Sequence, residues 1–337
     1  MKEVLNELFE YKSLTKERAR EILVNLAKGE YNSSQMAAFL TVFMMRSITV
    51  EELEGFRDAM LDLCVALDLK KYDAIDLCGT GGDGKDTFNI STLASFVVAG
   101  AGQNVAKHGN NGVSSICGSS NLLAYFGYEF TNDKDKIEKS IAESGICFLH
   151  APLFHPAMKN IAPIRKELGV KTFFNMLGPM VNPAFPDKQL VGVFSLELAR
   201  LYGYLYQRSG KEFVILHSLD GYDEVSLTGG FKMITNQGEK VLYPGDLGLS
   251  TVKAIELKGG ETIEESAAIF LKVIKGEGTR AQTEAVLANA GLALYVGKQL
   301  SSVKEGVQMA KESLESGRAF QTFRNLVGDS KISVSIS

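Results

Sequence analysis

Cysteine, proline and tryptophan are scarce in this sequence: its 337 residues contain four cysteines, seven prolines and no tryptophan. The cysteines, Cys64, Cys78, Cys117 and Cys147, are widely separated and form no C-x-x-C pair. This spacing argues against a zinc site and against a disulfide framework, and it is typical of a reducing compartment.

No apolar run in the sequence is long enough to span a bilayer. The first residues, MKEVLNELFEYK, form a charged amphipathic pattern that lacks the apolar core of a signal peptide. We therefore expect a cytoplasmic protein that makes no use of a membrane.

The sequence also lacks an excess of positive charge. Lys and Arg number 36 against 40 Asp and Glu, which gives a net charge of −4. This balance does not support broad binding to nucleic acid or to a membrane surface, although it is compatible with a local basic pocket. The hydrophobic fraction of 45% and the length predict a globular protein with one large domain and a smaller one.

Residues 1–70 carry helical patterns only. Asn32 and Thr49 each precede an apolar helical pattern at the spacing of a capping box. The helix that contains residues 36–45 is apolar on nearly every side, so it must be buried on several sides. The sequence leaves open whether this burial comes from its own domain or partly from a second subunit.

From Tyr72 onward, short apolar segments with strand character alternate with helical patterns. This alternation predicts an α/β domain with a mostly parallel central sheet. We assign residues 1–70 to a small helical domain, with a crossover segment at about 156–186 that packs against it, and residues 71–337 to the α/β domain. Residues 225–258 are expected to contain an antiparallel hairpin. The predicted parallel strands are 74–77, 104–107, 147–150, 190–194 and 213–217.

A glycine-rich segment, DLCGTGGDGKDTFNIST, follows the first predicted strand and opens a helix. Its glycines, Gly79, Gly81, Gly82 and Gly84, permit left-handed turns and the close approach of a ligand. A loop at a helix start also presents free backbone N–H groups, which favour phosphate or diphosphate. The spacing matches neither the Rossmann fingerprint nor the P-loop. Further donors and metal-capable oxygens at the helix start are Asn89, Ser91 and Thr92.

A second polar segment, KHGNNGVSS, begins at Lys107 and is followed by Gly118, Ser119 and Ser120. Lysine supplies a mobile positive charge for phosphate, and the glycines again admit close backbone approach. Ligands of parallel sheets bind at the carboxyl ends of the strands. The two segments therefore predict an extended, highly charged ligand that is held at both ends.

Asp223 and Glu224 follow the last predicted parallel strand. Adjacent carboxylates near phosphate loops attract Mg²⁺, to which Asp83 and Ser91 could contribute, although solvated acidic pairs are also common. Arg165 lies in an apolar, proline-framed segment and invites a bidentate carboxylate partner, either a ligand or an internal acid. No Ser-His-Asp spacing and no G-x-S-x-G motif is present, so acyl transfer has no support.

Four motifs, in this order and spacing, closely resemble the anthranilate phosphoribosyltransferase family: DLCGTGGDGKDTFNIST, KHGN-GVSS-CGSSNLL, HAPLFHPAMKNIAPIRKELGVKTFFNMLGPMVNPA and GYDEVSL. The resemblance implies the fold that this family shares with pyrimidine nucleoside phosphorylases, and a homodimer formed through the helical domain. It also implies a step of tryptophan biosynthesis. The phosphoribosyl group of 5-phosphoribosyl 1-diphosphate passes to the amine of anthranilate, giving N-(5-phosphoribosyl)anthranilate and diphosphate.

The resemblance implies two Mg²⁺ ions and three catalytic residues, Lys107, Asp223 and Glu224. Ser91 and Glu224 match one metal site, and Asp223 and Glu224 match the other. Charge on the departing diphosphate would be stabilised by Mg²⁺, by Lys107 and by loop N–H groups. An aromatic amine is neutral at pH 7 and needs no base before it attacks, which agrees with the absence of an obvious general base.

The resemblance also assigns the substrate contacts. Gly79, Asn110 and Arg165 match contacts to anthranilate, whose carboxylate Arg165 would hold. The positions that match the phosphoribosyl diphosphate site are Gly79, Gly82, Asp83, Thr87, Asn89, Ile90, Ser91, Thr92, Lys107, His108, Gly109, Asn110, Asn111, Gly112, Val113, Ser114, Ser115 and Ser119.

Two positions depart from the usual family pattern: Asn111 replaces an arginine, and Asn121 replaces a common aspartate. The missing cation could weaken the binding of diphosphate. One alternative is a pyrimidine nucleoside phosphorylase of the same fold, but its characteristic Lys-His-Ser-x-Gly-Gly loop is absent. The other is a non-catalytic relative that binds nucleic acid, against which the net charge of −4 and the intact acidic pair argue.

Overall fold

The computed structural model describes residues 1–112 and 117–328. Val113, Ser114 and Ser115, which were assigned to the sugar diphosphate site, lie outside the described residues. The chain divides into two compact units. One comprises Met1–Leu67 and Ala151–Phe185, and the other Asp68–His150 and Pro186–Ser337.

The helices and strands follow one another along the chain in a single order. They are α1 (Lys2–Phe9), α2 (Lys16–Lys28), α3 (Ser33–Met45), α4 (Val50–Asp62), β1 (Ile75–Gly79), α5 (Ile90–Gly100), β2 (Val105–Gly109), α6 (Ser119–Tyr125), α7 (Lys134–Ser144), β3 (Ile146–His150), α8 (Ala151–Phe154), α9 (Ala162–Leu168), α10 (Phe174–Leu177), β4 (Lys188–Gly192), α11 (Leu196–Gln207), β5 (Glu212–Ser218), β6 (Phe231–Thr235), β7 (Gly238–Leu242), α12 (Ile263–Ile274), α13 (Arg280–Gly297), α14 (Val303–Glu315) and α15 (Arg318–Val327).

The first unit is helical, and its helices begin where the sequence places caps. The Asn32 side chain accepts a hydrogen bond from the Gln35 N–H, and Thr49 forms a capping box with Glu52. The apolar helix α3 is buried through five of its residues, whereas Met44 and Met45 at its end are 43% and 81% exposed. Burial within the unit therefore accounts for most, but not all, of this helix.

The second unit is built on one seven-stranded sheet with the order β3-β2-β1-β4-β5-β6-β7. The first five strands of that order are parallel, and β6 and β7 are added antiparallel. Chain order reverses between β1 and β4, so the carboxyl ends of these strands form the crevice where open sheets bind ligands. The predicted fold class, a helical domain followed by an α/β domain with a mostly parallel sheet, is confirmed.

All five predicted parallel strands are present, but their ends differ from the prediction. Strands β1 and β2 each continue two residues further, so Gly79, His108 and Gly109 are strand residues rather than loop residues. The antiparallel hairpin is confined to β6 and β7, and two 3₁₀ turns occupy Pro244–Leu247 and Ala254–Leu257. Backbone pairing with β4 holds β1 in register through Gly79, and local composition does not reveal such pairing.

Helix α5 lies at the centre of the core of the second unit. Nine of its eleven residues are buried, and it packs against α13, α14 and α15. Because this packing fixes the N-terminus of α5 beside the carboxyl end of β1, the glycine-rich connection between them is held at both ends. Among the described residues, no helix is long and apolar enough to cross a membrane.

Candidate active site

The glycine-rich connection between β1 and α5 bends in the way the sequence predicts. Gly81, Gly82 and Gly84 have φ of 65°, 78° and 71°, in the left-handed region that glycine adopts without strain. Gly79 has no such φ and lies inside β1, where a Cβ would overlap the carboxylate of Asp223. The fourth glycine is therefore needed for space and not for a turn.

Asp223 and Glu224 lie against this connection, although they are more than 130 residues away in sequence. The Gly81 N–H donates to Asp223 Oδ2 at 2.6 Å. The Ser91 N–H, in the first turn of α5, donates to Glu224 Oε1 at 2.9 Å, and the Thr87 hydroxyl lies 3.4 Å from Oε2. A helix N-terminus favours a carboxylate, so the fold itself brings the acidic pair to the phosphate-type loop.

Burial raises the pKa of both acidic side chains above the usual carboxyl range, and neighbouring carboxylates raise it further. Asp83 acts in this way on Asp223, and Asp223 and Asp83 act on Glu224. Within residues 1–112 and 117–328, no three His, Cys, Asp or Glu side chains are spaced as a metal-ligand set. Mg²⁺ commonly takes only one or two carboxylates and completes its shell with phosphate and water, so this pair fits it.

Lys107 is not the mobile loop cation that the sequence predicts. It lies in β2, is 2% exposed, and its ammonium group donates to the backbone carbonyl of Leu77 in β1. Burial lowers the pKa of Lys107, while Cys78, Asp76 and Glu224 oppose that effect. Its charge is thus fixed between two strands and is not carried on a flexible arm. The expected mobility was wrong because β2 continues past Lys107 to Gly109, so the residue lies inside the strand and not at its end.

In the second polar segment, the side chain of Asn121 connects Gly112 with Gly118. The Asn121 Oδ1 accepts from the Gly112 N–H at 2.8 Å and from the Gly118 N–H at 3.1 Å. A Cβ on Gly118 would overlap the backbone of Gly112. Asn121, which replaces a common aspartate, therefore supplies an acceptor to both N–H groups. The other replacement, Asn111, is exposed at the surface.

The remaining predicted residues of the second unit fall into two groups. Ile90, Thr92 and His108 are buried, so their side chains belong to the interior. Others lie along the two polar segments at intermediate or full exposure: Gly82, Asp83, Thr87, Asn89, Ser91, Gly109, Asn110, Gly112 and Ser119. The Asn89 amide donates to the carbonyl of Cys117 at 2.9 Å, and this bond links the two segments. Loops from the carboxyl ends of β1 and β2 thus meet beside the acidic pair.

Arg165 belongs to the helical unit, in α9. Its guanidinium lies 5.1 Å from the ring centre of Phe174, and Nη2 donates to the Asn175 side-chain oxygen at 3.3 Å. Of the two partners the sequence left open, the internal acid is not found: within the described residues, no carboxylate lies at ion-pair distance from Arg165. Burial lowers the pKa of this guanidinium, and a carboxylate ligand would favour its charged form.

Sequence reasoning missed two residues that hold the acidic pair. Gly192 in β4 leaves room for the carbonyl of Asp223, which a Cβ there would overlap. Asn289 in α13 is buried and forms hydrogen bonds with both backbone groups of Val225, the residue after Glu224. A single amide inside the alanine-rich, apolar pattern of α13 was a visible signal, whereas the role of Gly192 depends on a tertiary contact.

Comparison with known proteins agrees with this architecture. The model of the glycosyl transferase family a/b domain matches residues 71–320, and that of the family's helical bundle domain matches residues 2–64. Anthranilate phosphoribosyltransferases of Flavobacterium johnsoniae and Christiangramia forsetii are 60% and 59% identical, each over 97% of this chain and 98% of the relative.

Solved structures give the same result. Anthranilate phosphoribosyltransferase from Thermus thermophilus matches with a TM-score of 0.90 at 36% identity, over 96% of this chain and 98% of that one. The Saccharomyces cerevisiae enzyme, solved in complex with PRPP and Mg, matches with a TM-score of 0.88 at 27% identity, over 98% and 97%. The chain therefore belongs to the anthranilate phosphoribosyltransferase family, as its four motifs predict.

Proposed function

We propose that this protein transfers the phosphoribosyl group of 5-phosphoribosyl 1-diphosphate to the amine of anthranilate, in the synthesis of tryptophan. One observation carries the proposal. The N–H groups of Gly81 and Ser91 donate hydrogen bonds to the carboxylates of Asp223 and Glu224, and so hold the acidic pair against the glycine-rich connection. This arrangement sets acidic metal ligands beside a loop suited to phosphate, which a sugar diphosphate requires.

Asp223, Glu224 and Ser91 would hold two Mg²⁺ ions, as the family motifs imply. When bound, the metal neutralises charge that develops on the diphosphate as its bond to the sugar breaks. The chain's own contribution is electrostatic: Lys107 is held rigidly between β1 and β2, so its charge needs no reorganisation during the reaction. The residues assigned to bind phosphoribosyl diphosphate lie within the two polar segments, at 79–92 and 107–119.

Arg165 would bind the carboxylate of anthranilate and so aim the neutral amine, an effect of orientation. Gly79 and Asn110 are the other proposed anthranilate contacts. The support for Arg165 is its burial together with its lack of an acidic partner among the described residues. An arginine that is half-buried without a counter-ion is better stabilised when a carboxylate ligand is present.

We expect a cytoplasmic homodimer formed through the helical domain at residues 1–70, supported by the crossover segment at about 156–186, with residues 71–337 forming the α/β domain. The support is a set of large apolar side chains exposed in the helical unit, which commonly marks an interface. They are Phe9, Tyr11, Met44 and Met45. Sedimentation of the full chain, alone and with Met44→Lys and Met45→Glu combined, tests this: we expect a dimer that the substitutions convert to monomer.

The activity is tested with the purified full chain. Anthranilate fluorescence should fall, with one diphosphate released per anthranilate consumed, only when both 5-phosphoribosyl 1-diphosphate and Mg²⁺ are present. The same preparation should not cleave a pyrimidine nucleoside with free phosphate. Cleavage of the nucleoside without consumption of anthranilate would favour the phosphorylase alternative instead.

A further inference from the structure

Arg165 caps a stack of aromatic rings in the helical unit. Phe56 and Phe173 stack with ring centres 4.4 Å apart at 19°, and Phe173 stacks on Phe174 at 4.6 Å and 23°. The guanidinium of Arg165 lies over the ring of Phe174, 5.1 Å from its centre. A guanidinium on an aromatic face is held in place by the ring quadrupole and by packing. The stack therefore fixes where the charge lies.

Asn175 fixes how that charge is turned. Its Oδ1 accepts from Arg165 Nη2 at 3.3 Å and from the backbone N–H of Thr172 at 3.1 Å. The Thr172 bond ties the Asn175 side chain, in the first turn of α10, to the backbone just before that helix. An amide oxygen can orient a guanidinium but carries no charge that would neutralise it.

Arg46, in the same unit, shows the opposite arrangement. Its guanidinium is paired with the fully buried carboxylate of Glu52 at 2.5 Å and 3.0 Å, and Glu52 also accepts the backbone N–H of Leu14. That arginine is neutralised inside the fold, as a structural ion pair should be. The guanidinium of Arg165 is likewise held in place, by Phe174 and Asn175, but its hydrogen-bond partner Asn175 is uncharged.

We propose that Asn175 is the positioning residue that sets specificity for a carboxylate-bearing aromatic amine, because it orients Arg165 while leaving its positive charge for the substrate. The inference rests on the proposed function of Arg165 and adds the identity of the residue that keeps it competent. It follows that a carboxylate in the place of the Asn175 amide would compete with the carboxylate of anthranilate for the same guanidinium.

Four variants of the full chain test this proposal, and one of them, Asn175→Ser, shortens the side chain. Asn175→Asp is isosteric, keeps the oxygen that accepts from Thr172, and adds one negative charge beside Arg165. Arg165→Ala removes the cation. Asn32→Asp is the matched control in the same unit, since it makes the same chemical change at an exposed helix cap where Asn and Asp are equivalent. For each variant, KM for anthranilate, KM for 5-phosphoribosyl 1-diphosphate and the melting temperature are measured.

We expect Asn175→Asp to raise KM for anthranilate by about tenfold or more, with KM for 5-phosphoribosyl 1-diphosphate and the melting temperature unchanged. Its preference for anthranilate over the neutral amide 2-aminobenzamide should fall by a similar factor, which a merely structural role would not produce. The shorter variant Asn175→Ser should raise KM for anthranilate less and keep that preference, because the charge of Arg165 remains available.

The variants distinguish the role of Asn175 from the role of Arg165, on which it depends. If Arg165→Ala leaves KM for anthranilate unchanged, the carboxylate site lies elsewhere and the assigned role of Arg165 fails. If Arg165→Ala raises that KM but Asn175→Asp and Asn175→Ser do not, only the role of Asn175 is overturned. An equal rise in Asn32→Asp would assign the effect to net charge and would also overturn it.

Discussion

Asn289 offers the sharpest perturbation of the acidic pair, because it touches neither substrate nor metal in the proposed site. Its amide accepts from the Val225 N–H at 3.0 Å and donates to the Val225 carbonyl at 3.0 Å and to the Ala285 carbonyl at 2.8 Å. The residue it holds comes directly after Glu224. We predict that Asn289→Ala releases the acidic pair from α13 and lowers both stability and turnover.

The size of the effect follows from the bonds lost. Asn289→Ala leaves the N–H and carbonyl of Val225 buried without that partner, at about 1–3 kcal/mol each, so the loss is about 2–6 kcal/mol. In a unit of this size, 1 kcal/mol corresponds to roughly 2–4 °C, so the melting temperature should fall by about 4 °C or more. A displacement of about 1 Å in catalytic groups commonly costs about a hundredfold in rate.

Gln103→Ala is the matched control. Gln103 is also a buried amide, and its Nε2 donates to the carbonyls of Asp73 at 2.8 Å and Asn104 at 3.2 Å. These carbonyls precede β1 and β2, at the end of the sheet opposite the acidic pair. Gln103→Ala should therefore lower the melting temperature while leaving kcat and the Mg²⁺ concentration for half-maximal rate near their wild-type values.

The assay is turnover by loss of anthranilate fluorescence across a Mg²⁺ titration, with melting curves for each variant. We expect Asn289→Ala to need more Mg²⁺ and to have a lower kcat at saturation, well below the melting transition. The reasoning is refuted if Asn289→Ala keeps the wild-type kcat and Mg²⁺ requirement, or if Gln103→Ala loses activity to the same extent.

Three further predictions concern other parts of the chain. Replacing Asp223 by Asn and Glu224 by Gln together should abolish turnover, and a double variant with the wild-type rate and Mg²⁺ dependence would disprove the metal assignment. Asn111→Arg should tighten 5-phosphoribosyl 1-diphosphate binding in calorimetry, because Asn111 is exposed and an added cation there would attract the diphosphate without a desolvation cost. Unchanged or weaker binding would count against that role. Burial lowers the pKa of His155 to about 4 in the folded protein. As pH falls below about 6.5, His155 is therefore protonated in the unfolded chain before it is protonated in the folded one. Stability should then drop by about 3 kcal/mol between pH 6.5 and 4, and melting curves of His155→Gln over that range should show a smaller drop.

The sequence predicted the order of elements and the bends of the glycine-rich connection because the relevant signals are local. Asn32 and Thr49 cap helices where their spacing indicates, and Gly81, Gly82 and Gly84 form the left-handed bends that their clustering predicts. Phosphate-type loops combine glycines and helix starts within a few residues. Such features are visible in a single segment.

Other features depend on contacts that no single segment encodes. The sequence predicts Lys107 as the last residue of a strand, with a mobile charge, yet pairing with β3 extends β2 through Gly109 and buries Lys107. The space that Gly79 provides exists only because Asp223 packs there. For Arg165, the sequence could not decide between an internal acid and a ligand as its partner. The structure shows a neutral amide at that position.

Diffraction from crystals grown with 5-phosphoribosyl 1-diphosphate and Mn²⁺ in place of Mg²⁺ addresses the whole account at once. We predict anomalous peaks at about 2.2 Å from carboxylate oxygens of Asp223 and Glu224, with the diphosphate bound to the connection between β1 and α5. Peaks and diphosphate found together at any other place on the sheet, with the acidic pair uninvolved, would contradict it.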